Sequence, residues 1–249
     1  MIKSIFRKIK YTIYPYHCPF CLGFWNEFNI HGFEFPILKK VEIIGGGKRP
    51  HVCPNCSSTD RLRMIFSYLN SETSFLKPNK SFKILHVAPE RLLMQLLKNN
   101  NENEYTAIDK FNFGGEIQCG DITQLDFDDN YFDLIICNHV LEHIQDDLLA
   151  MSELNRVLKQ NGLAILQIPY SEKIYKSIED YSVTDPIQME EKFGQDDHVR
   201  IYSLNDFKDR LTISNFRTEF ISPYLKKWKL NPNKLGLNKK EKLLLAFKK

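Results

Sequence analysis

Two Cys-x-x-Cys pairs, Cys18-Pro-Phe-Cys21 and Cys53-Pro-Asn-Cys56, offer four thiols that can converge on one ion. Each pair forms a tight turn, and four thiolates complete a tetrahedron. Cys18, Cys21, Cys53 and Cys56 are therefore expected to hold a structural Zn2+ with no open position. The stretch between the pairs is longer than the usual about 15–20 residues. It contains strand-like residues at 33–38 and 41–44 and a Gly45-Gly-Gly47 turn, enough for a zinc ribbon with an enlarged hairpin. Redox dithiols or disulfides are the competing reading. His17 and His51 flank the pairs as bystanders, and Cys119 and Cys137, each alone in an apolar stretch, read as core.

A second group is Asp196-Asp-His-Val-Arg200. It suggests His198 as a general base, Asp197 as the carboxylate orienting it, and Arg200 as the group that binds an anionic acceptor. A structural turn with surface ion pairs is the plainer alternative. His139 competes for the role of base, whereas His143 reads as a packing or capping residue. His139-Val-Leu-Glu-His143 also fits the His-x-x-Glu-His pattern of inverted zinc peptidases. That reading requires both imidazoles on one helix, and His139 falls at a strand–helix junction.

Residues 134–137 are a continuous apolar run, as in a strand covered on both faces. Leu141, Ile144, Leu148, Leu149, Leu154, Val157 and Leu158 recur at helical spacing, Asn161-Gly162 reads as the helix stop, and residues 163–169 as a second strand. The resulting βαβ unit puts ligand chemistry at Asn138-His139. Residues 83–87, 105–109 and 116–119 read as three earlier strands, 203–211 as a helix, and 216–221 and 243–247 as closing strands. Asp109 ends the second strand about 20 residues after the first strand–helix turn, where dinucleotide-type folds place the carboxylate that meets ribose hydroxyls. Asp121 and Ile122 follow the third strand, where an adenine ring can be met.

The 249 residues are 43% hydrophobic and 26% charged, which suits a globular α/β domain with a small accessory module. The net charge of +3 is unevenly spread: +6 over residues 1–63, −11 over 64–221 and +8 over 222–249. Basic ends can meet nucleic acid, or can be a solvated lysine-rich surface. Ile2, Ile5, Phe6 and Ile9 form one stripe of a short basic helix expected at the N-terminus. No apolar run approaches the roughly 18 residues of a membrane span, so a cytoplasmic location is expected.

The succession over residues 82–169 resembles the class I S-adenosylmethionine-dependent methyltransferases. The resemblance extends to a bacterial methyltransferase type 11-like subgroup with an N-terminal zinc ribbon, a His86-Val-Ala-Pro-Glu90 first motif and a Phe193-Gly-Gln-Asp-Asp-His-Val-Arg200 segment. It implies an α/β fold with a Rossmann-like seven-stranded sheet whose last two strands form an antiparallel hairpin. The zinc-ribbon module would occupy residues 1–70, the methyltransferase domain 82–249, and a lid about 170–202. His86, Ala88, Glu90, Asp109, Asp121, Ile122 and Asn138 would hold S-adenosyl-L-methionine. The usual acidic-x-Gly-x-Gly motif is altered here, with His86 at the acidic position and Ala88 and Glu90 at the glycines. Glu90 is expected to accept the ammonium of the cofactor instead.

The activity so implied is methyl transfer to oxygen or nitrogen of a small anionic or sugar-containing acceptor, a small molecule or glycan. An RNA methyltransferase is the second reading: the ribbon and basic ends would hold nucleic acid, with Phe24, Trp25, Phe28, Phe33 and Phe35 either stacking on bases or filling the ribbon's core. A non-catalytic zinc-ribbon interaction protein on the same fold is the third.

Overall fold

The computed structural model describes residues 10, 13–99, 102–111, 114–225 and 229–249. The basic helix expected over residues 2–9 lies outside them. The N-terminal part contains short strands β1 (Tyr16–His17), β2 (Phe24–Trp25) and β3 (Asn29–His31), helix α1 (Pro36–Lys40) and β4 (Arg49–Val52). Helix α2 (Asp60–Glu72) starts on Thr59, whose hydroxyl accepts from the Leu62 amide. Then come β5 (Lys83–Val87), α3 (Arg91–Lys98), β6 (Glu104–Asp109), β7 (Ile117–Cys119), β8 (Phe132–Cys137), α4 (Asp147–Val157) and β9 (Leu158–Ile165). The chain continues through β10 (Tyr170–Ser171), β11 (Ile178–Glu179), α5 (Pro186–Phe193), β12 (Arg200–Ser203), α6 (Leu204–Ile213), β13 (Phe216–Ile221) and β14 (Leu243–Lys248).

Seven strands form one sheet in the order β13-β14-β9-β8-β5-β6-β7, in which β14 runs antiparallel to both neighbours. The central strands alternate between two buried faces. Leu85, Val87, Ile135 and Cys137 enter one core, and Ile84, Leu134, Ile136 and Ile165 the other. The period of two and the double cover explain why these strands read as unbroken apolar runs. Connections leave β5 in one direction toward β6 and β7, and in the other toward β8. The sheet therefore has its switch point between the ends of β5 and β8, where such sheets bind ligands.

The cysteine module is stitched onto this domain. The Arg63 guanidinium, fully buried, donates to the carbonyls of His51, Ser58 and Leu235 and stacks 3.9 Å over Phe28. Ile44 exchanges backbone hydrogen bonds with Tyr170. Gly194, with φ +86°, ends α5 against α1 so closely that a Cβ there would lie 2.4 Å from a Leu38 methyl. Phe28 and Trp25 fill the module's small core, while Phe33 is exposed and stacks on Phe35.

Several sequence expectations are corrected. Residues 36–40 are helical because Pro36 occupies the first turn, and of residues 41–44 only Ile44 bridges to another strand. The helix expected from Leu141 to Leu158 is a 3-10 turn (Leu141–His143) followed by α4, with Leu148 and Leu149 exposed. Asn161-Gly162 does not stop it. Asn161 takes a left-handed φ of 61° inside β9, in a bulge that separates the Phe132–Leu158 pair from the Leu134–Leu163 pair. Cys119 is exposed because β7 is an edge strand, whereas Cys137 is buried.

The turn after β5 holds Ala88 at φ +46°, a conformation that costs an L-residue about 1 kcal/mol. Ala88→Gly should therefore raise the unfolding free energy by up to about 1 kcal/mol, less what glycine adds to the unfolded chain. A urea melt measures it, and a lowered midpoint would show that the surroundings favour alanine.

Candidate functional site

A cleft of about 700 Å3 opens beyond the carboxyl ends of the parallel strands. Of the residues expected to meet a nucleoside-bearing ligand, Ala88, Asp109, Asp121 and Ile122 line it. Asp109 caps its own turn, its Oδ1 accepting from the Phe111 amide at 3.0 Å. Asp121 accepts from the amide and hydroxyl of Thr123 at 2.8 and 2.7 Å, and these bonds hold its carboxyl below the usual range. The volume suits a ligand the size of a nucleoside joined to an amino acid.

His86, Glu90 and Asn138 do not line this cleft. They form a hydrogen-bonded support behind the β5 turn. His86 Nδ1 is 2.8 Å from the Tyr105 hydroxyl, and its Nε2 is 3.0 Å from Glu90 Oε2. The Asn138 amide donates to both Glu90 oxygens at 3.2 and 3.3 Å, and Arg61 approaches Oε1 at 3.7 Å. Burial alone would raise the Glu90 carboxyl, but His86 and Arg61 hold it below its ordinary value. Glu90, expected to accept the ammonium of the cofactor, is engaged here by three protein groups. Neither Arg61 nor Tyr105 was legible as part of the site, since their contacts join segments distant in sequence.

A second cavity, of about 250 Å3, lies between the cysteine module, the 170–202 segment and the sheet. His31, Arg49, His51, Arg61 and His198 contribute to its wall. Among the described residues, His139 alone lines both cavities. It sits just after β8 with φ +52°, strained for a non-glycine residue. Its Nδ1 lies 3.4 Å from Glu142 Oε1, and its Nε2 has no hydrogen-bond partner among the described residues. Burial, then Arg61 and two neighbouring imidazoles, push the His139 pKa well down, leaving the ring neutral. Glu142 is fully buried, and burial pushes its carboxyl up to about 7.

The Asp196–Arg200 segment is arranged differently from expectation. Asp197 pairs with His143, Oδ2 to Nδ1 at 3.2 Å, rather than orienting His198. His198 is buried with its ring edge-on to His143, at 4.6 Å between centroids, and it faces the second cavity but not the larger cleft. Burial and the nearby His143 lower its pKa to about 3. Arg200 has no exposed surface. It donates to the carbonyls of Leu141, Ile144 and Gln145, to the Tyr181 hydroxyl and to Glu179. Every guanidinium nitrogen is engaged by the protein, so Arg200 fastens the segment, and it also borders the second cavity. Arg61, also at the second cavity, has an Nε with no hydrogen-bond partner among the described residues.

Some distance along the module, Cys18, Cys21, Cys53 and Cys56 bring their sulfurs within 4.8 Å of one another. The Cys18–Cys56 and Cys21–Cys53 separations are 3.5 and 3.7 Å, near the edge of a tetrahedron with arms of about 2.3 Å. These sulfurs could hold one zinc ion.

Comparison with known proteins finds similarities over part of the chain. Residues 80–166 match the family profile described as a methyltransferase domain. A demethylmenaquinone methyltransferase of Staphylococcus carnosus is 46% identical over 129 residues, covering 52% of this chain and 46% of that protein. An uncharacterized protein of Methanocaldococcus jannaschii is 40% identical over 58 residues, 23% of this chain and 25% of its own. The chain thus spans less than half the length of these curated relatives. A crystal structure of an S-adenosylmethionine-dependent methyltransferase from Archaeoglobus fulgidus superposes with a TM-score of 0.47 at 16% identity, covering 76% of this chain and 91% of that one. Over residues 80–166, then, this chain is similar to a methyltransferase domain.

Proposed function

We propose that this protein transfers a methyl group from S-adenosylmethionine, bound in the larger cleft, to oxygen or nitrogen of a small acidic acceptor bound in the second cavity. The observation that carries the reading is His139, which lines both cavities with an unpartnered Nε2. Bound S-adenosylmethionine supplies an electrophilic methyl group on a sulfonium centre. Asp109 holds the ribose hydroxyls, and Asp121 with Ile122 meets the adenine. Methyl transfer needs an aligned nucleophile more than covalent help. His139 Nε2 accepts the proton that an acceptor hydroxyl or ammonium loses, and Glu142 at 3.4 Å steadies the opposite ring nitrogen. Arg61 at the cavity wall favours an acceptor bearing a carboxylate or phosphate. His198, which also lines that cavity, positions the acceptor.

Four cysteine ligands supply a structural Zn2+ site, and the module so held forms one wall of the acceptor cavity through Phe33 and the Gly45–Gly47 turn. The cysteine module and the sheet domain act as one unit in this reading, with 170–202 as a cover over the acceptor.

Three outcomes are expected. His139→Ala should lower turnover about 100-fold or more while S-adenosylhomocysteine binding stays within about twofold; the comparison is single-turnover transfer of labelled methyl to a panel of carboxylated and phosphorylated hydroxy compounds. Unchanged turnover would remove His139 from the role of base. Arg61→Ala should raise KM for such acceptors with kcat less affected, and the panel should contain no neutral acceptor of equal kcat/KM. Removing zinc with a chelator, or Cys53→Ser, should lower the melting temperature, because ligand binding to the folded state alone stabilises it. A melt unaffected by metal removal would contradict a structural ion.

A further inference from the structure

Beside His139 lies a second cluster of metal-ligating groups, separate from the cysteines. Glu142, His143 and His198 each present a ligand atom, and these atoms lie within 4.8 Å of one another. Glu142 has no exposed surface, and neither carboxylate oxygen has a hydrogen-bond partner among the described residues. A buried carboxylate left so is costly unless a cation or donor faces it. His139 Nδ1, 3.4 Å from Oε1, approaches one side and leaves Oε2 unopposed. The His143 Nδ1 is committed to Asp197, 3.2 Å from both its carboxylate and its backbone carbonyl, so Nε2 is its remaining ligand atom. An outer carboxylate on the far ring nitrogen is the arrangement that fixes a metal-bound imidazole. The ligands are held from two directions. The Val199 amide donates to the Glu142 carbonyl at 3.0 Å, and Arg200 grips the carbonyls of Leu141 and Ile144.

We propose that Glu142, His143 and His198 bind a divalent first-row transition ion, such as Mn2+, Co2+ or Zn2+, at the wall between the two cavities. Two imidazoles and one carboxylate select such ions over Mg2+ and Ca2+, which prefer all-oxygen shells. Three protein ligands, unlike the four thiolates of the cysteine cluster, leave coordination positions open. His143 lines the larger cleft and His198 the second cavity, so the open positions lie where an acceptor oxygen would sit. This role rests on the methyltransferase reading above; the ion site itself does not. Coordination lowers the pKa of an acceptor hydroxyl, and its proton passes to His139 Nε2. The oxygen's lone pair then forms the new C–O bond as the C–S bond breaks, and the departing sulfur keeps that electron pair as a neutral thioether.

The test is calorimetric titration of the full-length, zinc-loaded protein with Mn2+, without S-adenosylmethionine. One further ion should bind, with affinity at least tenfold weaker in both Glu142→Gln and His198→Ala, while zinc content and circular dichroism match the wild type. Should a variant fold poorly, the wild-type titration stands alone. Failure of Mn2+, Co2+ and Zn2+ to bind beyond the first zinc equivalent, or equal affinity in both variants, would overturn the site. Titrating the same samples with S-adenosylhomocysteine separates the two readings. A second ion without cofactor binding supports the metal site and defeats the donor cleft; cofactor binding without a second ion does the reverse.

Discussion

The grip of Arg200 on the turn after β8 is the interaction on which the site depends. One buried guanidinium donates to the carbonyls of Leu141, Ile144 and Gln145 where the 3-10 turn and α4 fail to form one helix, and the Tyr202 hydroxyl joins it at the Leu141 carbonyl. Glu179 and Asp147 lie 2.7 and 3.8 Å from it and balance its charge in the interior. Removing one member of such a buried network costs about 3–5 kcal/mol, because the others remain unpaired. That energy holds the 170–202 segment against the sheet, with His198 beside His143. Without the grip, the second cavity would have no outer wall.

A similar device acts on the other side. Arg63 binds three carbonyls from three segments, and ties the cysteine module to α2 and to the loop before β14. Each arginine converts irregular backbone, which cannot satisfy itself, into a fixed surface. Between them the module and the 170–202 segment close over the switch point of the sheet. The larger cleft is lined mainly by the strand ends and their turns, with Asp197 and Val199 of the 170–202 segment at its edge, whereas the second cavity takes its walls from both additions.

The central sheet was legible because its strands are buried on both faces and read as apolar runs with acidic turns between them. The carboxylate at Asp109 and the four cysteines were legible for the same kind of reason, since spacing alone places them. What sequence could not show was which donor meets which acceptor across long separations. Glu90 stands at a glycine position of the motif, yet its partners are His86, Asn138 and Arg61, the last two far away in the chain. Asp197 is adjacent to His198 but pairs with His143, because the segment crosses the β8 turn there. Arg200 read as the group that binds an anionic acceptor; the carbonyls of the short 3-10 turn that it meets make it a core residue. The left-handed conformation of His139 carries no sequence signal in a residue that is not glycine.

The central claim is that the altered first motif still leaves a cleft for the methyl donor. Calorimetric titration of the zinc-loaded chain with S-adenosylhomocysteine tests this directly, with Asp109→Ala as the comparison. Micromolar binding, worth about −8 kcal/mol, that is lost in the variant is the predicted result. No binding by a folded protein would contradict the account, and would mean that the Ala88 turn and its His86–Glu90 support no longer serve a cofactor.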